Sequence, residues 1–266
     1  MKIQTLQNSE IGLLKGLQPD GWQDIIPIFD FYTQTDFCFP VKVTINNKIV
    51  GIGAGIVHNN IAWLGHIIVH SDNRNKGIGK LITQSLIELM KTKHCEPIYL
   101  IATDLGASLY ERIGFETETE YMFFKDINKK PNWLVSKNIK PITKDFHEQI
   151  YFIDKINSGE DRIFHIQKYF SRGFVYLHEK VVEGYYLPTF GEGLIIANRP
   201  TAGLELMKMR LLTKDNAAFP IDNLNAIEFM HQHNYQEFKR AKRMRFGSKQ
   251  NWFPENIYNR IAGNLG

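Results

Sequence analysis

The sequence predicts an α/β (α+β) chain of two domains in tandem, each a mixed, mostly antiparallel sheet flanked by helices. Three observations carry that expectation. At 266 residues the chain is long for one compact domain and comfortable for two. In the first half, segments with strand periodicity give way to helical spacing and then return to strand. The second half repeats that outline of strands, helix, strand, helix and strand, with little residue identity, as a tandem of related units would.

The elements follow in order. Phe39 to Val69 reads as successive strands. Val41-Lys42-Val43-Thr44-Ile45 alternates apolar and polar, Asn46-Asn47 signals a turn, and Ile49 to Val57 resumes. His58-Asn59-Asn60 turns again, and Ile61 to Val69 runs back. Ile78, Leu81, Ile82, Ser85, Leu86, Leu89 and Met90 then recur at helical spacing. Pro97 ends that region, Ile98 to Ala102 is a short buried strand, Gly106 to Ile113 a helix stopped by Gly114, and Phe115 to Phe124 a strand. Weak periodicity and two prolines mark a linker at 129–141 between a first domain at 1–128 and a second at 142–248, with a tail at 249–266. In the second domain Gly173 to Tyr186 and Gly193 to Ala197 read as strands and Thr201 to Leu212 as a helix. Ala217 to Ile221 is a strand, Asn223 to His233 a helix, and Phe238 to Phe246 a strand.

Composition narrows the classes. The chain is 43% hydrophobic and 23% charged, with a formal charge of +4, as expected of an ordinary globular protein. That charge suits an anionic ligand and falls far short of what would make nucleic acid the default partner. Two cysteines, Cys38 and Cys95, make neither a disulfide framework nor a metal motif. Neither a signal peptide nor an apolar run of membrane-spanning length is present, so a cytoplasmic protein with no membrane partner is expected. No metal is expected either, because the nine histidines do not join Cys or carboxylates at ligand spacing.

The informative stretch runs from Ile67-Ile68-Val69 through Arg74-Asn75-Lys76-Gly77-Ile78-Gly79-Lys80. A strand ends, a polar loop follows, and glycines open a helix. Free N–H groups and the helix dipole make such an N-terminus an anion site. Gly77 and Gly79 let a phosphate approach the backbone, while Arg74, Lys76 and Lys80 add positive charge. A Walker loop would need glycine in place of Arg74 and Ser or Thr in place of Leu81. A dinucleotide fingerprint would need glycine at Ile82. The separate run Gly51-Ile52-Gly53-Ala54-Gly55 also fails that test, since Ile56 stands in the third glycine's place and a strand follows.

Arg74-x-x-Gly77-x-Gly79 after a strand resembles the acetyl-CoA pyrophosphate loop of the GNAT superfamily of N-acetyltransferases, whose signature is Q/R-x-x-G-x-G/A. Leu109-Tyr110-Glu111-Arg112-Ile113-Gly114-Phe115 resembles a second family motif, in which a helix ends in L-Y-x-x-x-G-F. The resemblance covers about Thr5 to Phe124. More faintly, the second half resembles the C-terminal domain of tandem members. Asn223-x-x-Ala226, His233-Asn234-Tyr235 and Arg243-Met244-Arg245-Phe246-Gly247 match its closing motif, with Asn234-Tyr235 where Gly-Phe is usual. The expected fold is therefore two GNAT-like domains in tandem. Asn198-Arg199-Pro200-Thr201-Ala202-Gly203 sits where a second pyrophosphate loop belongs but lacks paired glycines, so this half is expected not to bind the cofactor in the usual way.

The resemblance implies acetyl-CoA held by Ile67, Ile68, Val69, the 74–80 loop, Thr103 and Tyr110. Backbone N–H groups of the 67–69 strand would lie near the thioester oxygen, and Tyr110 would protonate the departing thiolate. His66 is the candidate base, although a histidine on a buried strand is often simply hydrogen-bonded, and other members use glutamate or water. Trp63 stands near where some members keep that glutamate. Trp22, Phe29 and Tyr32, in an aromatic-rich segment, are the candidate substrate pocket. The implied reaction is acetyl transfer to a small-molecule amine. A protein or peptide amine, and a non-catalytic acyl-CoA-binding regulatory module, are the alternatives. A monomer or homodimer is expected. The basic run Lys239 to Arg245 reads as a solvated edge strand, since alternation sends its charges to both faces.

Overall fold

The computed structural model describes residues 1–125 and 132–266, so residues 129–131 of the expected linker lie outside the described residues. The chain divides into two compact units that interleave in sequence. The first comprises Met1–Glu116, Met244–Lys249 and Gly263–Leu265; the second comprises Thr117–Arg243, Gln250–Ala262 and Gly266.

The first unit opens with β1 (Lys2–Thr5), a 3-10 segment (Asn8–Leu17) and α1 (Ile25–Gln34). Then come β2 (Cys38–Ile45), β3 (Lys48–His58), β4 (Ile61–Val69), α2 (Ile78–Thr92), β5 (Ile98–Ala102) and α3 (Asp104–Ile113). β1 to β4 form an antiparallel meander, and β5 pairs parallel to β4. The β2–β3 turn is made by Asn46 and Asn47, both at positive φ, as a tight turn matched to strand twist requires. Asn59 does the same between β3 and β4.

α1 was not legible from periodicity, yet Asp24 caps it by accepting from the Ile26 N–H at 2.9 Å. Its buried residues Ile25, Phe29 and Tyr32 recur at helical spacing.

The three alternate glycines of β3 explain the run that resembled a nucleotide fingerprint. A Cβ at Gly51 would meet Ile78 and Ile82, one at Gly53 would meet Ile82, and one at Gly55 would meet Met90, all within 3.0 Å, with Leu86 3.2 Å from the one at Gly53. Ile78, Ile82, Leu86 and Met90 are successive turns of one α2 face and are all buried. The glycines thus form a track that brings the helix onto the sheet, and burial of each large α2 side chain contributes roughly 1.5–3 kcal/mol.

The second unit contains β6 (Glu116–Lys125, beginning in the first), β7 (Ile139–Pro141), α4 (His147–Ser158), α5 (Ile163–Ile166) and β8 (Phe174–His178). β9 (Val181–Leu187), β10 (Leu194–Ala197), α6 (Pro200–Leu211), β11 (Asn216–Pro220), α7 (Leu224–Gln232), β12 (Gln236–Phe246, ending in the first unit) and β13 (Ile257–Asn259) complete it. One sheet has the order β13-β10-β9-β8-β7, and β6 has β11 and β12 on its two sides. At the end of α7, Asn234 adopts φ 62° and takes the left-handed role that glycine has in the first half. On α4, the buried Asp154 carboxylate accepts from Arg162 Nε at 3.0 Å and Nη2 at 2.9 Å and from the Tyr185 hydroxyl, so the charge buried there is paired.

One sequence expectation is corrected here. β12 is not an edge strand: β6 lies on one side, and β5 lies beside the part that belongs to the first unit. Its arginines answer carboxylates on β6, with Arg243 Nε 3.1 Å from Glu118, Arg240 Nη1 3.4 Å from Glu120, and Arg245 Nη2 2.6 Å from Glu116. Alternation assigns a side chain to a face but does not say whether a strand has neighbours. Cross-strand charge pairing here lets an arginine-rich strand be interior.

Candidate functional site

The site is built where β4 ends in the first unit. β4 pairs with β5 from Ala62↔Ile98 to Leu64↔Leu100. Among the described residues no ladder joins β5 to Gly65–Val69, although β3 still pairs the other edge of that stretch. The register against β3 shifts between Ile52↔Ile68 and Ala54↔Gly65, so His66 and Ile67 face the single residue Gly53. This bulge places His66 at φ 52° and redirects its side chain, as a bulge does.

Beyond Val69 the chain makes a 3-10 turn (Ser71–Asn73) and then the loop into α2. Arg74 Nε gives a hydrogen bond to the Val69 carbonyl at 3.3 Å, and Lys76 Nζ gives one to the Asp72 carbonyl at 2.8 Å. Asn75 (φ 59°) and Gly77 (φ 78°) are left-handed, and Gly77 is the N-cap of α2. Backbone of this kind forms anion-binding concavities. A Cβ at Gly77 would meet nothing within 4 Å, so the space in front of it is open. Ile78 is buried and anchors the helix, while Arg74, Lys76 and Lys80 remain exposed. The first-turn N–H groups at Ile78, Gly79 and Lys80 have no intrahelical acceptors. Open space, free donors and three cationic side chains fit the pyrophosphate of a coenzyme A thioester.

Thr103 is the N-cap of α3. Tyr110 lies on that helix, half-buried, its ring edge-on to Phe115 at 5.9 Å between centroids. Burial raises its phenol to about 12. Gly114, at φ 108°, ends the helix, and the Phe115 N–H reaches back to the Tyr110 carbonyl at 3.0 Å.

The structure brings Trp22, Phe29 and Tyr32 together around His66, with ring centroids at 6.1, 5.9 and 5.7 Å, all edge-on. Phe29 is fully buried and forms a wall, whereas Trp22 is 47% exposed and can meet a ligand. The Tyr32 hydroxyl lies 3.0 Å from His66 Nδ1. Burial lowers the imidazole pKa to about 4 and raises the Tyr32 phenol well above its usual value. Sequence reasoning missed Asn264, whose Nδ2 donates to the Tyr32 hydroxyl at 2.6 Å. No local signal pointed to it. Trp63, on the same strand, is fully buried against Tyr99.

In the second unit the segment expected to lack a phosphate loop begins α6 at Pro200, which has no N–H to offer. A Cβ at Gly203 would overlap the Tyr258 ring, and Asn198 Oδ1 accepts from Asn157 Nδ2 at 2.7 Å. Protein groups already occupy this helix start.

Among the described residues, no group of three or more His, Cys, Asp or Glu could hold a metal ion, and no helix is long and apolar enough to cross a membrane.

Residues 5–115 match the model of the acetyltransferase (GNAT) family. A Bacillus subtilis (strain 168) protein, "Uncharacterized protein YyaT", is 27% identical over 110 residues, spanning 41% of this chain and 72% of its own. A crystal structure from Pyrococcus horikoshii, assigned provisionally as an acetyltransferase, superposes with a TM-score of 0.84 at 22% identity, over 100% of this chain and 95% of that one. A tandem GNAT protein from the clavulanic acid biosynthesis pathway superposes with a TM-score of 0.64 at 12% identity, over 94% and 99%. At these identities the two structures establish the fold.

Proposed function

We propose, from the match of residues 5–115 to the acetyltransferase (GNAT) family model, that the protein is an acetyl-CoA-dependent N-acetyltransferase acting on a primary amine of a small molecule. The observation that carries the reading is the β4–α2 loop, where a left-handed Gly77 with open space before it caps a helix rimmed by Arg74, Lys76 and Lys80.

Acetyl-CoA supplies a thioester whose carbonyl carbon can be attacked by an amine. Arg74, Lys76, Lys80 and the N–H groups of the 75–80 backbone bind its pyrophosphate, and Thr103 borders the site. Ile67, Ile68 and Val69, which among the described residues have no ladder to β5, hold the pantetheine and offer N–H groups to the thioester oxygen. As the C–N bond forms and the C–S bond breaks, Tyr110 is the donor to the leaving sulfur. Its phenol keeps its proton at every physiological pH. Against a thiolate near 8.5 complete transfer runs uphill, so hydrogen-bond donation into the developing charge is its main contribution. Trp22 and His66 face the acceptor side, with the buried Phe29 and Tyr32 packed behind the imidazole. The second unit, whose α6 start is taken up by Pro200, Tyr258 and Asn198, does not bind the cofactor in the usual way.

The test is acetyl-CoA binding by calorimetry. Wild type should bind, Gly77→Glu should not, and Gly77→Ala, which carries the backbone strain without the charge, should retain most of the affinity. No binding by wild type, or equal binding by all three, overturns the reading.

A further inference from the structure

The hydrogen-bond chain Asn264–Tyr32–His66 has a direction, and the direction fixes what His66 can do. The Tyr32 hydroxyl is buried, with Asn264 Nδ2 at 2.6 Å and His66 Nδ1 at 3.0 Å. An amide nitrogen only donates, so the Tyr32 oxygen accepts from Asn264. Its own proton is then free for His66 Nδ1, the acceptor 3.0 Å away. Pointed at Nδ1 it makes a hydrogen bond and is not left as an unpaired buried donor. Nδ1 therefore accepts, and a neutral imidazole with a bare Nδ1 carries its hydrogen on Nε2.

We propose that Tyr32 and Asn264 are positioning residues that hold His66 in the Nε2–H form, so that His66 donates a hydrogen bond to the acceptor substrate and does not take its proton. The acceptor then carries an oxygen (hydroxyl, carbonyl or carboxylate) beside its amine to receive that bond, and the amine loses its own proton to solvent before attack. The substrate half of this proposal rests on the acetyltransferase reading; the protonation of His66 does not.

Local structure is arranged around this contact. The β4 bulge holds His66 at positive φ. Gly65, next to it, has no room for a side chain because a Cβ there would overlap Asn264. Tyr32 is set by the buried face of α1, with Phe29 one turn back against the same imidazole. Low basicity of the ring keeps it neutral, which a donor requires and which hinders a base.

Tautomers of imidazole are distinguished by long-range proton–nitrogen correlation spectra of the full-length, nitrogen-15-labelled protein. Wild-type His66 should be protonated on Nε2. In Asn264→Asp the carboxylate can only accept, so Tyr32 should turn its proton to it, accept from Nδ1–H, and reverse the tautomer. Tyr32→Phe, which removes only the hydroxyl, should give a mixture. A wild-type spectrum with Nδ1 protonated, or the same tautomer in wild type and Asn264→Asp, overturns the assignment. For the substrate half, wild type should prefer an amine with a neighbouring hydroxyl over its deoxy analogue by about tenfold or more in kcat/KM. Asn264→Asp should lose most of that preference, and an unchanged ratio overturns it. Failure of acetyl-CoA to bind would remove the acetyltransferase reading and leave the spectral result standing.

Discussion

A Cβ on Gly106 would stand 2.9 Å from Cε2 of Tyr110, so the phenol ring rests on the glycine one helical turn before it. Alanine at 106 gains helix propensity of about 1 kcal/mol but must push the ring aside. Gly106→Ala should therefore keep its melting temperature within a few degrees while kcat falls roughly tenfold, the scale of a misplaced catalytic group. Combined with Tyr110→Phe it should add little further loss. A steady-state comparison of both single variants and the double checks this, and additive losses would separate the two residues.

Protonation of His66 links acid to unfolding. Its pKa is about 4 in the folded chain and near 6.5 when unfolded. Between those values the unfolded state binds the extra proton, so stability falls as pH drops from 6.5 towards 4. The full loss is roughly 3 kcal/mol, less what partial exposure of the ring screens. His66→Asn keeps a residue that tolerates positive φ and cannot titrate. Urea midpoints measured across that window should decline less steeply for the variant than for wild type.

The glycine track of β3 makes a steric prediction. At Gly53 a Cβ would sit 2.7 Å from Ile82 Cγ2, 3.2 Å from Leu86 Cδ1 and 3.3 Å from Ile67 Cγ1. Gly53→Val should destabilise the protein by about 1–3 kcal/mol through overpacking, and Gly53→Ala by less. Gly12, around which a Cβ meets nothing within 4 Å, should accept alanine with little change. Thermal unfolding of the three variants gives the ranking.

Asn234 offers a test in the second unit. At φ 62° it occupies the left-handed position after α7, where glycine is unstrained and alanine costs about 1 kcal/mol or more. Asn234→Gly should match or slightly exceed wild-type stability, and Asn234→Ala should lower it. Equal midpoints for the two variants would mean that the Asn side chain, not the backbone, is what matters.

What the sequence by itself determined is what neighbouring residues can specify. Asn-Asn turns, the period change at Ile78, the glycines at 77 and 79 and the Tyr110-to-Gly114 helix end are local signals. Each forces a local conformation, and all recur in the structure at those positions. α1 was hidden because Ile25-Ile26-Pro27-Ile28-Phe29 is apolar on every side, leaving no contrast from which to read a face. Glycines at 51, 53 and 55 could be excluded as a nucleotide fingerprint, but the helix they admit could not be named. Only tertiary structure gave β12 a strand on each side, and only it placed Asn264 on Tyr32, 232 residues away. Backbone conformation is decided within a few residues. Neighbours across a sheet, and the direction of a buried hydrogen bond, depend on which distant segments pack together, and periodicity carries no record of that.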